Sequence, residues 1–167
     1  AAVLYAPWKL IQLQNKEYST QFYEIPADLV FDQGDYSSLL GTILNHHIFL
    51  EISIFRNSYY QKLRPGANDI AYWAFTIPAE WISVGKILIM KEPFYYASTQ
   101  YFEGEIHEQG GNLQVEHSWD NYRGGLEYLL GRALPAFDQD TLLAYKKGIE
   151  EFVAIRMLVG LKLRILN

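Results

Sequence analysis

Two carboxylates and an imidazole, at Glu105, Glu116 and His107, have the residue types that acid–base chemistry uses. A two-residue turn at Gly110-Gly111 would set Glu105 directly opposite Glu116, with His107 on the same face, because opposite residues of an antiparallel pair point to one side. Like charges so close are unfavourable unless they are solvated, protonated or given a cation. Two interpretations stay open: a solvent-exposed polar sheet face, or a polar patch inside a ligand cavity.

The hairpin that would position these groups is predicted from the sequence around that turn. Phe94–Glu108 is rich in aromatic residues and predicts a long strand, and Leu113–Trp119 predicts the returning strand. In this register Phe102 lies opposite Trp119, so the second face is mainly apolar. The separation of an apolar face from a polar one favours this register over a shift by one residue.

Composition limits the classes of protein that the chain can belong to. Its 167 residues fit a single domain, 1–167, with a sizeable core. Thirteen tyrosines and four tryptophans offer apolar bodies with polar tips, which suit cavities and interfaces. A formal net charge of −5 at pH 7 gives no reason to expect nucleic acid as a partner. The absence of cysteine excludes disulfides and thiolate metal sites.

No cofactor or metal is predicted, because neither a phosphate loop nor a dinucleotide fingerprint is present. His46 and His47 are neighbours and would point to opposite faces of a strand, and His117 is interpreted as a core histidine. No apolar run has the length of a transmembrane segment, and no signal or lipidation motif is found. The compartment stays open, with the cytoplasm favoured.

The rest of the chain predicts an α+β fold built mainly from antiparallel β-sheet. Leu39–Leu44 is too short for periodicity to separate strand from helix. Asp120–Pro135 is predicted as a loop because glycines and Pro135 interrupt it, with a short turn of helix at Leu126–Leu130 as an alternative within it. Further strands are predicted at Tyr18–Ile25, Ile48–Arg56 and Ile70–Ile77.

Two helices are predicted. Pro78 suits the first position of a helix over Ala79–Met90. A C-terminal helix over Thr141–Val159 follows from apolar residues at helical spacing. Leu161–Ile165 alternates like a strand but carries cations that suit a helix C-terminus, so both alternatives remain.

Several short motifs resemble the acetoacetate decarboxylase-like superfamily. They are Ala6–Leu10, Tyr23–Pro26, Glu51–Ile54, Val84–Lys86 and Pro93–Ala97. In that family a lysine directly after the proline forms a Schiff base, and here that position is Phe94. The resemblance implies a sheet closed into a barrel-like cavity for a small molecule, without the Schiff-base nucleophile. Lys86 and Lys91 are predicted to be ordinary solvated amines that do not replace it.

The function predicted first is the binding of a small hydrophobic or aromatic organic ligand in an aromatic-lined cavity. Whether the protein is an enzyme stays open; if it is, the prediction is a cofactor-independent lyase, cyclase or isomerase acting on a carbonyl or polyene substrate. The predicted catalytic residues are Glu105, Glu116 and His107. The predicted ligand-binding residues are Tyr96, Tyr101, Glu51 and Trp73.

The alternative is a non-catalytic protein that binds a hydrophobic ligand or assembles with a partner. The apolar stretch Phe152–Leu166 would form the partner surface, because monomers rarely expose large apolar patches. A homo-oligomer is among the assemblies that this alternative includes.

Overall fold

The computed structural model describes residues 1–12, 17–64, 66, 70–99 and 110–166. The strands are β1 (Val3–Tyr5), β2 (Trp8–Gln12), β3 (Glu17–Gln21), β4 (Leu29–Phe31), β5 (Ser53–Phe55), β6 (Ile87–Ile89) and β7 (Tyr95–Thr99). The helices are α1 (Tyr36–His46), α2 (Asn57–Tyr60), α3 (Trp73–Val84), α4 (Gly110–Ala133) and α5 (Gln139–Leu166), with a 3₁₀ turn at Leu134–Ala136. The fold is therefore α+β, but helices dominate it.

The strands form two small sheets in place of the predicted barrel. One sheet has the order β4-β6-β1-β5 and the other β3-β2-β7. Each contains one parallel pair, β1 with β6 and β2 with β7, while the other pairs are antiparallel. Strands of three to five residues are too short to curl into a closed cylinder. The prediction of a barrel-like closed sheet is wrong for the described part of the chain.

The short apolar segment Leu39–Leu44, which the sequence left open between strand and helix, belongs to helix α1. Its N-cap is Asp35, whose side chain accepts a hydrogen bond from the Ser38 backbone N–H at 3.2 Å. Its C-cap is His47, in the left-handed conformation with φ 50° and ψ 44°. The His47 N–H donates to the Ile43 carbonyl, which satisfies one of the free carbonyls at the helix end.

Helix α3 replaces the strand predicted at Ile70–Ile77. Eight of its 12 residues are buried, so no alternating or helical polarity marks one face of it in the sequence. Pro78 lies inside this helix and not at its first position. The helix ends at Val84, and the chain then enters β6, so the helix predicted over Ala79–Met90 is correct only for its first half.

Helix α4 occupies the segments predicted as the returning strand Leu113–Trp119 and the loop Asp120–Pro135. Both predictions are wrong, and the glycines that suggested a loop have another role. A Cβ atom on Gly125 would meet the Tyr72 carbonyl oxygen at 3.0 Å and Phe75 Cβ at 3.1 Å. The glycine thus lets α4 approach α3 closely, since any larger residue would force the two backbones apart.

The predicted C-terminal helix is present and longer than expected. Helix α5 runs from Gln139 to Leu166, so the Leu161–Ile165 segment is helical. Its start is capped by Asp138, whose carboxylate accepts a hydrogen bond from the Thr141 N–H at 2.8 Å. Hydrogen bonds from the Thr141 side chain and from its backbone N–H lower the pKa of Asp138.

Two further strand predictions are only partly correct. Of Tyr18–Ile25 the structure pairs residues up to Gln21, and of Ile48–Arg56 it pairs Ser53–Phe55. The residues before Ser53 nevertheless alternate as predicted: Ile48 and Leu50 are fully buried. Phe49 and Glu51 are only partly buried and belong to the other side of the chain.

One core joins the four-stranded sheet to the helices. Its large members include Tyr5 and Ile89 from the sheet and Leu40, Phe75, Leu129 and Phe152 from the helices. Helix α4 packs against α1, α3 and α5, and so holds the helical layer together. Within the described ranges, none of the helices combines the length and apolar character needed to cross a bilayer.

Candidate functional site

The predicted catalytic group is not brought together by the described structure. Glu105, His107 and Tyr101 lie outside the described residues. Glu116 belongs to the backbone of α4, where a helix and not a strand is formed. The cross-strand pairing of two carboxylates therefore has no returning strand to support it.

Three of the predicted ligand-binding residues lie in described parts of the chain. Tyr96 is in β7 and Trp73 opens α3, and both are largely exposed. Glu51 is different, because it lines a cavity of about 170 Å³ together with Phe22, His47, Phe49, Ile155 and Arg156. We call this the Glu51 cavity, and it is the strongest candidate for a functional site.

The segment between α1 and β5 positions two walls of the cavity. Ile48 and Leu50 enter the core there, while Phe49 and Glu51 face the cavity. Helix α5 supplies the opposite wall with Ile155 and Arg156, and Phe22 follows β3. The cavity thus lies between sheet-side loops and the C-terminal helix.

Glu51 is held by a phenol. Tyr72 donates a hydrogen bond from its Oη to Glu51 Oε1 at 2.5 Å. Burial raises the pKa of Tyr72 well above its ordinary value, and the nearby Glu51 charge raises it further. Tyr72 therefore remains protonated at neutral pH and acts as a fixed donor to one oxygen of Glu51.

Arg156 lies on an aromatic face, and none of the ion pairs between described residues includes it. Its guanidinium carbon lies 4.6 Å from the centroid of the Phe49 ring, a cation–π distance. Its Nε is buried and makes no hydrogen bond. A buried donor without an acceptor is costly, so the protein holds this guanidinium at the cavity wall at the expense of stability.

Glu51 and Arg156 line the same cavity but do not form an ion pair. Among the described ion pairs, each with nitrogen and oxygen within 4.0 Å, none joins these two residues. The Tyr72 bond and the Phe49 ring keep the two charges in place. A carboxylate and a guanidinium that share a cavity without contact leave room for a ligand that touches both.

Other buried donors without partners lie close to this site. Trp8 Nε1 and Tyr23 Oη are buried and unbonded, and Trp8 stacks on Phe22 with ring centroids 3.5 Å apart. Burial raises the pKa of Tyr23, and the charge of Glu51 adds to the shift, which places the phenol near that carboxylate. Unsatisfied buried polar atoms are few in native proteins, so their concentration around one cavity requires an explanation.

His47 brings an imidazole to the cavity from a strained position. A non-glycine residue with positive φ is uncommon, and His47 is the one such residue in the described chain. Its ring stacks on Phe152 with centroids 5.1 Å apart. Histidine adopts the left-handed conformation more readily than most non-glycine residues, so the helix can end here and place an imidazole on the cavity wall.

A second polar cluster, between α3 and α4, provides a contrast. Glu80 is only 2% exposed and accepts hydrogen bonds from Arg132 at 2.6 Å and Tyr128 at 2.5 Å. Arg132 also donates to the Tyr128 oxygen at 2.9 Å. The three groups satisfy one another, so this cluster fixes two helices and offers no open position to a ligand.

The sequence missed three residues of the site, and one of them left a signal. Arg156 falls in the apolar stripe of α5 next to Phe152 and Val153, where a cation is unexpected. Tyr72 lies in a segment that was predicted as a strand. Of that segment, only Trp73 was predicted to bind the ligand. His47 was considered only as a metal ligand and was set aside.

Lys86 and Lys91 have the environments predicted for ordinary amines. Lys86 is exposed and forms an ion pair with Asp32 at 2.5 Å, and Lys91 is exposed as well. No group of three or more potential ligands within the described chain is arranged to hold a metal ion.

Neither a protein-family model nor a curated protein matches the chain. The resemblance to the acetoacetate decarboxylase-like superfamily therefore stays a prediction.

Proposed function

We propose that the protein binds a small organic molecule in the Glu51 cavity. The observation that carries the proposal is the pair of unjoined opposite charges, Glu51 and Arg156, on the walls of one cavity. Phe22, Phe49 and Ile155 add apolar walls beside them. A few convergent polar groups on an apolar lining are typical of small-molecule sites.

The size of the cavity limits the ligand. Sites for drug-sized molecules enclose roughly 300–1,000 Å³, whereas the Glu51 cavity encloses about 170 Å³. The proposed ligand is correspondingly small, with a short apolar or planar body that can lie against Phe49.

The same groups suit acid–base chemistry on a carbonyl compound without a cofactor. Glu51 would take a proton from the carbon next to the carbonyl group, and Arg156 would stabilise the negative charge that develops on the carbonyl oxygen. The proton then returns to a different carbon or helps a leaving group depart, with His47 as the second acid. The reaction class is that of an isomerase, cyclase or lyase.

Binding is tested with neutralising variants of the two charged residues and a matched pair elsewhere. Glu51→Gln and Arg156→Gln remove the charges of the cavity, whereas Glu127→Gln and Arg123→Gln change an exposed ion pair of α4. Native mass spectrometry of the purified protein, with thermal-shift screening of small carbonyl compounds, would measure occupancy. We expect retention or protection in the wild type and in the α4 variants, and its loss in both cavity variants.

Loss of folding could imitate loss of binding, so circular dichroism accompanies each variant and Arg156→Lys serves as a conservative substitute. If every folded variant binds as the wild type does, or if the wild type binds no small organic molecule, the proposal is wrong. Turnover is assessed separately, by proton exchange with deuterated water at the carbon next to the carbonyl group of any compound that binds.

A second candidate function is assembly through the outer face of α5. Leu158 is 64% exposed and Leu161 is 48% exposed, and Ile155 and Met157 lie exposed on the same helix. These residues belong to the stretch predicted as a partner surface, and adjacent exposed apolar residues are typical of interfaces. We propose self-association through this face as the alternative function.

Analytical ultracentrifugation over a range of concentrations tests this alternative. The wild type is expected to form dimers or larger species, and Leu158→Glu is expected to make it monomeric. Leu143→Glu, at an exposed position near the start of the same helix, is the control. A wild type that stays monomeric at all concentrations excludes self-association as the function of this face.

A further inference from the structure

The positions of the two charges restrict the chemistry of the ligand, if the Glu51 cavity binds one as proposed. We infer that the ligand is a short carboxylic acid that carries a hydroxyl or amino group, with its carboxylate on Arg156 and its donor on Glu51. This inference rests on the proposed binding of a small molecule in the Glu51 cavity and specifies the class of that molecule; it does not depend on the acid–base chemistry.

The carboxylate is assigned to Arg156 because the guanidinium has no acid of its own. Its buried Nε lacks an acceptor, and its position over Phe49 leaves its planar fork without a described carboxylate partner. A guanidinium binds carboxylates through two parallel hydrogen bonds, a geometry that few other groups satisfy. A neutral carbonyl group would occupy only part of this donor set.

The hydroxyl or amino group is assigned to Glu51 because one carboxylate oxygen is already taken. Tyr72 donates to Oε1, and no described hydrogen bond uses Oε2. A carboxylate accepts but does not donate, so a ligand beside the second oxygen of Glu51 contacts it favourably with a donor. A ligand with anionic groups alone would offer Glu51 no donor, and the negative charge of Glu51 would repel it.

The two assignments together exclude simpler ligands. A plain carboxylic acid satisfies Arg156 and is repelled by Glu51, and a plain alcohol or amine satisfies Glu51 and leaves Arg156 unpaired. The small volume requires both groups to lie on a short skeleton, since about 170 Å³ holds only a few carbon atoms besides them. Hydroxy acids and amino acids of three to four carbons, roughly, meet these conditions.

The test compares compounds with three carbon atoms each by isothermal titration calorimetry on the full chain. Lactate and alanine carry both groups, propionate carries only the carboxylate, and propane-1,2-diol and isopropylamine carry only the donor. We expect lactate or alanine to bind about tenfold to a hundredfold more tightly than the compounds with one group, as expected for a hydrogen bond to a charged residue. The better of the two identifies the donor as hydroxyl or ammonium.

Variants separate the two assignments. Arg156→Gln should abolish the preference for a carboxylate while keeping the preference for a donor, and Glu51→Gln should do the reverse. Equal binding of propionate, the diol and lactate would overturn the inference and leave small-molecule binding in place. The inference would also be overturned if both variants kept the wild-type preferences for a carboxylate and for a donor. Absence of binding by any compound of any class would overturn the proposed function as well.

Discussion

At the scale of single residues, the molecule contains two polar clusters that are built in opposite ways. Glu80, Arg132 and Tyr128 are mutually bonded and closed. Glu51 and Arg156 are each fixed by a neighbour but are left apart from one another. A satisfied cluster stabilises the fold, whereas charges held apart at the cost of stability are typical of sites that use them.

The first prediction concerns the closed cluster. Arg132→Met is expected to lower the free energy of unfolding by about 3 kcal/mol, because it leaves the buried carboxylate of Glu80 without its cation. Urea unfolding followed by circular dichroism measures the loss. Glu80→Met combined with Arg132→Met should recover most of it, since no buried charge then remains. A double variant as unstable as the single one would show that the pair itself stabilises the fold.

The sequence could reveal part of the candidate site, residue by residue. Glu51 was predicted as a ligand-binding residue, and it lines the cavity next to the core-facing Leu50. Arg156 could have been found as a cation in an apolar helical stripe. Tyr72 could not, because its contact with Glu51 joins residues 21 positions apart and depends on how α3 packs.

At the scale of elements, glycines have two different roles that the sequence alone does not separate. Gly85 follows α3, and a Cβ there would come within 2.8 Å of both Ala2 Cβ and Tyr59 Cε1. Gly131 lies inside α4, and a Cβ there would meet nothing within 4 Å. One glycine is required by close packing, while the other only weakens its helix.

The second prediction follows from this difference. Gly131→Ala is expected to raise the free energy of unfolding by about 0.5–1 kcal/mol, because alanine favours the helix and restricts the unfolded chain. Gly85→Ala is expected to lower it by about 1–3 kcal/mol, because the added methyl group overfills the contact. Thermal and urea unfolding of both variants measures the effects. Changes of the same sign in the two variants would contradict this account of the glycines.

The success of element prediction depended on what each segment buries. Helix α5 was predicted because one side of it is apolar and the other polar, which gives a period of 3.6 residues. Helix α3 is buried on nearly all sides and shows no period, so a strand was predicted from its aromatic residues. Helix α4 was missed because its glycines were interpreted as turn signals, although Gly125 allows the helix to pack closely on α3.

At the scale of the whole molecule, the α+β class was accessible from the sequence but its architecture was not. Many aromatic residues suggested long strands around a cavity, whereas the structure uses them to pack helices against short strands. The single ring of Phe49, for example, contacts the rings of Tyr72, Phe75, Tyr122 and Phe152. Which elements share such contacts is set by long-range packing, and local sequence patterns contain little information about it.

The core also contains phenols that have no hydrogen-bond partner. Tyr5 is fully buried in the centre of the four-stranded sheet, and its Oη is unbonded. Burial raises the pKa of Tyr5 well above its ordinary value, and burial likewise raises those of Tyr23 and Tyr72. All three phenols thus hold their protons in the folded protein at pH values where the unfolded chain releases them.

The third prediction is a loss of stability at alkaline pH with a specific remedy. A pKa raised in the folded state leaves stability intact below the unfolded value, which is about 10, and stability falls as the pH rises from there towards the folded value. Each such tyrosine contributes a decrease of up to about 1.4 kcal/mol per pH unit. Tyr5→Phe should leave stability at pH 7 unchanged or raised, because no hydrogen bond is lost. At pH 11 the free energy of unfolding of Tyr5→Phe should exceed that of the wild type by a larger amount than at pH 7. Tyr60→Phe, at an exposed position, should behave as the wild type at both pH values. Urea unfolding at pH 7 and pH 11 measures these differences, and an equal decrease with pH in the wild type and Tyr5→Phe would show that Tyr5 titrates normally in the folded protein.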